Sequence, residues 1–454
     1  MFIGREKELE ELRKQFNSDK KSIILVYGKR RVGKTRLIEE ALKDFDGTVV
    51  NHLCVKSSYE GNQRLLCRSV ALSFGLSPSL SFSTVFDLFD FIKSQGKPVI
   101  VILDEYQYLK ESGKDQEVDS IMQVIADSLP DYVKLVLCGS YITIMKELLA
   151  ESDPLFGRFT GIIHLTEFDY YDSARFCPEL PLREKIRFYS VFGGSPYVLS
   201  NLNFGKSLEE NIIDLTLEPN SIFRTFIENI ALKEIQKAYD IRILEIISNS
   251  RKRFNEISSL LGFGDSSLLD KQLKNLLNME TISKIVPINA RKDKKKQFYE
   301  INDNLMRFFF TYVFSYDSLI YKFGPVKFYE KAMAGSMSTF ISYRFEKIAL
   351  QYLVRLAHSG KLDGVQDFGT FWYDDKKNHR NGQFDCVLKY PEGYDFYEVK
   401  FFDSPMTRKE CEEEEKQVRS IVDMVCRRIG FICSSGFDFS DERYDLIEGK
   451  NLYE

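Results

Sequence analysis

The sequence predicts an α/β protein with several domains, the first of them built on a doubly wound parallel sheet. Up to about residue 165, short apolar runs alternate with helical patterns, as in a parallel sheet covered by helices on both faces. From about residue 336 to the end, the predicted element order is αβββαβ. A length of 454 residues is also too great for a single hydrophobic core.

The composition is that of an ordinary globular protein, and a formal net charge of −4 provides no overall attraction to nucleic acid. The eight cysteines include no C-x-x-C pair and there are only four histidines, which argues against a zinc site. The sequence shows no signal peptide and no apolar run of membrane-spanning length. We therefore expect a cytoplasmic protein with reduced thiols and no membrane partner.

A glycine-rich loop follows the first apolar run, which covers residues 23–27. Residues 28–35 read G-K-R-R-V-G-K-T and lead into a helical pattern, so backbone N–H groups and a helix N-terminus can surround phosphates. Lys34 would reach the β- and γ-phosphates, and the Thr35 hydroxyl would bind Mg²⁺. ATP and Mg²⁺ are the predicted cofactors, and the candidate nucleotide-binding residues here are Gly28, Arg31, Val32, Gly33, Lys34, Thr35 and Arg36.

Two further buried strands end in polar residues. The run over residues 99–103 ends in Asp104 and Glu105, and the run over residues 134–138 leads to Ser140. Because ligands of parallel sheets bind at the carboxyl ends of the strands, Asp104 is predicted to hold Mg²⁺ and Glu105 to polarise the attacking water. Ser140 would lie near the γ-phosphate.

The middle of the chain predicts a helical region and then a winged helix. Three helical segments precede two strand-like pieces joined by a basic turn at residues 291–296. The lysines of this turn could contact the phosphates of DNA or RNA. The alternative is a module that only packs domains together and whose lysines are solvated.

The last part of the chain carries a second group of charged residues. Side chains alternate along a strand, so Glu398 and Lys400 share one face, and Asp385 on the neighbouring strand can join them. Two carboxylates of this kind bind Mg²⁺, a lysine beside them can position or help to deprotonate a water, and Glu346 on the preceding helix could complete the metal shell. The alternatives are a surface ion pair, or a one-residue slip that turns Asp385 away.

The elements predicted for this last part are a helix over residues 337–358, strands over 368–373, 383–390 and 394–402, a helix over 406–426 and a strand over 429–434. The acidic run at residues 412–415 lies within the second of these helices. It is interpreted as a solvated helix face.

Several of these motifs resemble one known family. The opening F-I-G-R-E-K-E-L-E-E-L, the loop, L-D-E-Y-Q, C-G-S-Y, P-L-F-G-R and F-G-G-S-P-Y are similar to the archaeal-type ATPases, P-loop signal-transduction ATPases related to AAA+ proteins. The resemblance implies that Gly4 and Arg5 lie near the adenine. It also implies that Arg158 contacts the γ-phosphate, either within the chain or across the interface of a homo-oligomer.

Members of this family often end in a domain resembling restriction endonucleases of the PD-(D/E)XK type, whose motifs Asp385, Glu398 and Lys400 match. The predicted domains are a P-loop ATPase core (1–165), a helical lid (166–235), a winged helix (236–302), a helical linker (303–335) and a nuclease-like domain (336–454).

The leading functional hypothesis is an Mg²⁺-dependent ATPase whose nucleotide state controls a nuclease-like domain acting on DNA or RNA. The intact Glu398-Val399-Lys400 sequence favours it. The near-neutral charge favours the first alternative, a signalling or scaffold ATPase with a degenerate C-terminal domain. A DNA-binding regulator of the winged-helix kind is the second alternative.

Overall fold

A computed structural model describes residues 2–112, 117–230, 239–262, 266–375, 380–421 and 425–454. The chain divides into two compact units, Met1–Glu167 and Phe168–Glu454. Within the described ranges, no helix is both long and apolar enough to cross a membrane.

The first unit is built on a five-stranded parallel sheet with the strand order β2-β3-β4-β1-β5. Every residue of β1 and of β4 is buried, because helices cover both faces of the sheet. The predicted α/β fold with a parallel sheet is confirmed. The strands are β1 (Ser22–Tyr27), β2 (Thr48–Leu53), β3 (Val99–Asp104), β4 (Val133–Gly139) and β5 (Gly161–His164).

Helices α2 and α5 begin directly after the loops at the carboxyl ends of β1 and β3, which brings their first turns to the same edge of the sheet. The helices of this unit are α1 (Glu6–Phe16), α2 (Lys34–Ala41), α3 (Tyr59–Ser73), α4 (Val85–Ser94), α5 (Tyr106–Lys110), α6 (Glu117–Ser128) and α7 (Ile142–Glu147).

The second unit begins with helices that share one apolar core with the rest of that unit. They are α8 (Tyr170–Ala174), α9 (Leu182–Phe192), α10 (Pro196–Leu199), α11 (Leu208–Ile212) and α12 (Ile222–Ile230).

Three more helices and an antiparallel hairpin follow. They are α13 (Arg242–Ser248), α14 (Phe254–Leu261), α15 (Ser266–Asn278), β6 (Ile282–Ile285) and β7 (Phe298–Ile301). After these come α16 (Asn304–Tyr312), α17 (Asp317–Phe323), α18 (Pro325–Phe328) and the long α19 (Ala334–His358).

A mixed five-stranded sheet of order β12-β11-β10-β9-β8 completes the second unit. Its strands β10, β11 and β12 are parallel, whereas β9 is antiparallel to both β8 and β10. The elements are β8 (Asp367–Asp375), β9 (Arg380–Tyr390), β10 (Gly393–Lys400), α20 (Arg408–Arg419), β11 (Cys426–Cys433) and β12 (Tyr444–Glu448).

The structure corrects the predicted end of this sheet in two places. Helix α20 ends at Arg419 rather than at residue 426, since Cys426 already begins β11. Strand β12 was not predicted, because five residues with two carboxylates carry a weak strand pattern; it forms by pairing with the buried strand β11.

The connection between β6 and β7 covers the exposed edge of β8. The backbone N–H of Ile288 donates to the Thr370 carbonyl (2.8 Å), and the Asn289 side chain exchanges two hydrogen bonds with the Trp372 backbone (2.7 and 2.9 Å). Edge strands carry unpaired backbone groups, so this contact both protects the edge and fixes the hairpin against the sheet.

Candidate functional site

The loop after β1 requires glycine at its first position. Gly28 has a φ of 156°, and a Cβ built there would lie 2.0 Å from the carbonyl oxygen of Leu165. Gly33, which caps the N-terminus of α2, has a φ of 96°. The backbone therefore folds into a tight cradle at the carboxyl edge of the sheet, a cradle that side chains would fill.

Lys34 is buried, and its ammonium lies inside this cradle. It donates hydrogen bonds to the carbonyl oxygens of Gly28 (2.8 Å) and Lys29 (2.9 Å). Burial lowers the pKa of Lys34 from its ordinary value, while the carboxylates of Glu105 and Asp104 oppose that shift. Packing does not require a cation here, so the position suits an anionic ligand.

Thr35 and Asp104 meet across the ends of β1 and β3. The Thr35 hydroxyl donates to Asp104 Oδ2 (3.1 Å), and the backbone N–H of Glu105 donates to Asp104 Oδ1 (2.9 Å). A hydroxyl beside a carboxylate is the oxygen donor set that Mg²⁺ prefers, so these two side chains fit that ion.

Glu105 and Ser140 also come together, and a third residue holds them. Ser140 Oγ donates to Glu105 Oε2 (2.6 Å), and the amide of Gln107 donates both to this carboxylate and to Ser140 Oγ (3.3 Å for the hydroxyl). The Gln107 carbonyl accepts from the Ser140 backbone N–H (3.3 Å). A Cβ at Gly139 would lie 2.6 Å from Gln107 Oε1, so that glycine makes room for the amide.

Gln107 is fully buried, and the sequence prediction missed it. The signal was its place in L-D-E-Y-Q, two residues beyond Glu105 and in the first turn of α5.

Arg5 lies beside the glycine loop that follows β1. Its guanidinium donates to the Thr166 carbonyl and is 3.5 Å from the Val32 carbonyl, and both Gly4 and Arg5 have positive φ. The structure therefore places the Gly4-Arg5 segment against the loop.

Two of the predicted nucleotide-binding residues, Arg31 and Arg36, lie on the surface of the unit. Both are exposed, Arg31 has a φ of 66°, and Arg36 pairs with Glu39 one turn along α2 (3.4 Å). The structure does not bring Arg36 into the cradle.

Arg158 lies at the opposite edge of the first sheet. Its guanidinium pairs with Asp127 (2.9 and 3.0 Å), whose backbone carbonyl accepts from Lys21, the residue before β1. The six residues of β1 separate this edge from the loop by about 20 Å at 3.3 Å per residue. Arg158 therefore does not reach the loop of its own unit. Of the two possibilities that the resemblance implies, contact with the γ-phosphate within one chain has no support from this geometry.

In the second unit, the strand register brings Asp385 and Glu398 to one face. Tyr397 lies opposite Cys386, so the next residues on the two strands, Glu398 and Asp385, are neighbours. Burial raises the pKa of Glu398, and the Asp385 charge adds to that shift. The predicted proximity of these carboxylates holds in the structure.

Lys400 lies between two carboxylates, Glu398 and Glu414, each at 2.8 Å. Although burial opposes it, this pairing raises the pKa of Lys400 above its ordinary value, so the lysine stays protonated and cannot accept a proton at neutral pH. Glu414 belongs to the acidic run that was interpreted as a solvated face. The structure places this one member beside the cluster.

Arg251, which the sequence prediction missed, reaches the remaining carboxylates. Its guanidinium is 2.6 Å from Asp385 and 3.6 Å from Glu346. Burial, followed by the Asp385 charge, raises the pKa of Glu346 to about 8. Among the described residues, no three His, Cys, Asp or Glu side chains are arranged to hold a metal ion. Glu346, Asp385 and Glu398 gather as predicted, but with an arginine among them they do not fit a metal.

The parallel sheet, the glycine cradle and the Thr35–Asp104 pair together define a P-loop ATPase domain. Residues 2–202 match the family model described as "ATPase domain predominantly from Archaea", and residues 309–416 match a family of archaeal and bacterial proteins of unknown function. The chain therefore carries an archaeal-type ATPase domain and, behind it, a domain of this second family.

Two proteins of Methanocaldococcus jannaschii and one solved structure are similar to the chain. The uncharacterized protein MJECL04 is 28% identical over 396 residues, covering 85% of this chain and 84% of that protein. The uncharacterized ATP-binding protein MJ0423 is 48% identical over 44 residues, 10% of this chain and 75% of that protein. The Walker-type ATPase PABY2304 of Pyrococcus abyssi superposes with a TM-score of 0.48 and 21% identity, covering 68% of this chain and 96% of that one.

Proposed function

We propose that the protein is an Mg²⁺-dependent ATP hydrolase whose nucleotide state controls a nuclease-like C-terminal domain that acts on DNA or RNA. The observation that carries the first part is the meeting of Lys34, Thr35, Asp104, Glu105 and Ser140 at one edge of the sheet. That edge is where parallel α/β sheets bind ligands.

In this proposal each residue of the site has one role. Lys34 leaves its two backbone carbonyls and contacts the β- and γ-phosphates of ATP. Thr35 and Asp104 hold Mg²⁺, which when bound neutralises phosphate charge. Glu105 polarises the attacking water, and Ser140 and Gln107 fix the direction of its carboxylate.

Arg158 acts in this scheme from a neighbouring copy of the chain. Its place at the amino edge of the sheet, paired with Asp127, leaves it far from its own loop. An arginine supplied in trans stabilises charge on the transferring phosphoryl group. The functional ATPase is therefore proposed to be a homo-oligomer.

The three helices and hairpin over residues 242–301 are proposed to act as a winged helix that contacts nucleic acid phosphates. A cleft of about 750 Å³ lies between α14, α15 and the hairpin, and it is lined by five cations and two carboxylates, Glu256 and Asp270, the second of which pairs with Lys274 (2.7 Å). These cations are Arg253, Lys274, Lys284, Lys294 and Lys295. Clustered cations of this kind bind phosphates without reading sequence.

The nuclease-like assignment is supported by Asp385, Glu398 and Lys400 on adjacent strands. Because Lys400 stays protonated, its proposed role is to hold a negatively charged phosphate oxygen rather than to remove a proton. The arginine within the cluster favours the second candidate function, a signalling ATPase whose C-terminal domain does not cut nucleic acid.

Calorimetric titration with Mg-ATP tests the ATPase part. Lys34→Ala should lose tight binding, since the ammonium is the principal phosphate contact. Lys43→Ala is the matched control, because Lys43 is an exposed lysine of the same unit that pairs with Glu40 (2.8 Å), and this variant should bind Mg-ATP as the wild type does. Unchanged affinity in Lys34→Ala would show that ATP does not bind in the cradle.

Cleavage of plasmid, single-stranded DNA and RNA, each with ATP, ADP or no nucleotide, tests the second part. Lys400→Ala should abolish cleavage and leave ATP hydrolysis unchanged. The control Lys409→Ala, which replaces an exposed lysine on α20, should alter neither activity. Absence of cleavage by the wild type in every nucleotide state would favour the signalling ATPase.

A further inference from the structure

Arg251 is the point at which the three-helix segment meets the carboxylates of the C-terminal sheet. It lies in the connection between α13 and α14, and its guanidinium contacts carboxylates on three other elements. These are Asp385 on β9 (2.6 Å), Glu300 on β7 (3.3 Å) and Glu346 on α19 (3.6 Å). Arg251 thus contacts both the hairpin that follows the three helices and the C-terminal part of the unit, α19 and β9.

Glu300 does not depend on this arginine for charge neutralisation. It is fully buried, Lys347 donates to it, and Arg307 lies 4.0 Å away. Asp385 and Glu346 are different, because within the described residues Arg251 is the only cation paired with either of them.

The fit of the guanidinium to Glu346 is incomplete. At 3.6 Å the contact is an ion pair and not a hydrogen bond, and Glu346 Oε2 is buried without a hydrogen-bond partner. A buried side-chain oxygen that lacks a partner is costly, so Arg251 leaves Glu346 incompletely satisfied.

We propose that Arg251 is an intramolecular counter-ion that closes the Glu346–Asp385–Glu398 cluster to divalent cations, and that moving the connector opens it. The inference rests on the proposed nuclease-like function, whose site it regulates. A guanidinium at hydrogen-bonding distance from Asp385 both occupies the carboxylate oxygen and repels a second positive charge.

The connector is also tied to the basic cleft. Lys252 exchanges backbone hydrogen bonds with Tyr299 on β7 (2.8 and 3.2 Å). Arg253, two residues from Arg251, stacks over the rings of Phe298 and Trp372 and lines the cleft. The connector thus carries one arginine in the carboxylate cluster and another in the basic cleft.

Titration of the full-length protein with Mn²⁺ by calorimetry, without nucleotide, tests the inference. All proteins carry Thr35→Ala to remove the predicted metal ligand of the ATPase site. The double variant Thr35→Ala/Arg251→Ala should bind one Mn²⁺ per chain more than about tenfold more tightly than the Thr35→Ala parent does. Arg251→Gln, which keeps hydrogen-bonding groups and removes only the charge, should show the same gain, and it replaces the alanine variant if that protein does not fold.

Arg242→Ala is the matched control, since it removes an exposed arginine of α13 that pairs with Asp240 and touches none of the three carboxylates, and it should bind Mn²⁺ as the parent does. Adding Asp385→Asn to Arg251→Ala should abolish the gain. Equal Mn²⁺ affinity in the parent and both Arg251 variants would overturn the inference while leaving the cluster a candidate metal site. Absence of Mn²⁺ binding in every variant would overturn both the inference and the nuclease-like proposal.

Discussion

Glu105 has a backbone conformation that is uncommon for a residue with a side chain. Its φ is 54°, a left-handed value that strains a residue with a side chain. Ser140 and Gln107 hold its carboxylate, and the glycine before Ser140 leaves space for the amide. Strain of this kind persists where neighbouring contacts fix the residue, as they do here.

Gln107→Ala should lower the ATP turnover number by roughly tenfold or more, within the range for losing control of a catalytic base, and leave Mg-ATP affinity nearly unchanged. The hydrogen bonds of the amide go to Glu105 and Ser140, so its effect is on the direction of the Glu105 carboxylate. Steady-state kinetics alongside calorimetric binding would measure this, with Gln63→Ala on α3 as the control. If the lower ATP turnover came only from unfolded protein, and the folded fraction hydrolysed ATP at the normal rate, the positioning role would be contradicted.

His52 provides a prediction about acid stability. It is 2% exposed on β2, and burial lowers its pKa from 6.5 to about 4. The folded unit therefore keeps His52 neutral while the unfolded chain takes up a proton below pH 6.5, so stability is lost as pH falls from 6.5 towards 4. Between pH 7 and pH 5 this histidine should cost about 2 kcal/mol of the free energy of unfolding.

Urea denaturation of the wild type, His52→Asn and His358→Asn at both pH values would measure this cost. The loss of stability between pH 7 and pH 5 should be smaller in His52→Asn and unchanged in His358→Asn, because His358 is exposed. Parallel losses in all three proteins would contradict the burial argument.

At this scale the sequence predicts contacts between recognised motifs better than contacts made by residues that belong to no motif. The spacing of loop and strand ends anticipates the Thr35–Asp104 and Glu105–Ser140 contacts, because both follow from parallel strands meeting at one edge. Arg251 joins the second cluster from 134 residues away in the chain and Glu414 joins it from the following helix, and no local pattern marks either residue.

At the scale of elements, strand direction separates the ATPase site from Arg158. The glycine loop, Asp104 and Ser140 all follow carboxyl ends of strands, whereas Arg158 precedes β5 and pairs with the end of α6. Motif spacing could not reveal this, because it does not show at which edge of the sheet a loop lies. The connection between β6 and β7 is a similar case, since its pairing with β8 depends on tertiary contact.

Arg158→Ala should bind Mg-ATP nearly as the wild type does and hydrolyse it at least about a hundredfold more slowly, as expected for an arginine acting on the γ-phosphate. Mixing Arg158→Ala with Glu105→Gln should restore part of the activity, because one mixed interface then combines an intact glutamate with an intact arginine. Arg64→Ala, an exposed arginine of the same unit, is the control. Failure of the mixture to regain activity would contradict action between subunits.

At the scale of the whole molecule, the two proposed chemistries lie in separate compact units. The ATPase residues lie within Met1–Glu167 and the carboxylate cluster within Phe168–Glu454. Alternating apolar runs made the first sheet predictable, since both of its faces are buried. The order of helices and strands along this part of the chain was predictable up to β11, but the last strand and the arginine of the cluster were not.

The central claim is that the carboxyl edge of the first sheet hydrolyses ATP through Glu105. The most direct test is Glu105→Gln in full-length protein, with Mg-ATP binding measured by calorimetry and single-turnover hydrolysis measured on the same sample. The account predicts unchanged or tighter binding and hydrolysis slower by about a hundredfold or more, because an amide keeps the shape but cannot polarise water as a carboxylate does. Hydrolysis within about threefold of the wild-type rate, well below the effect of losing a catalytic base, would contradict it.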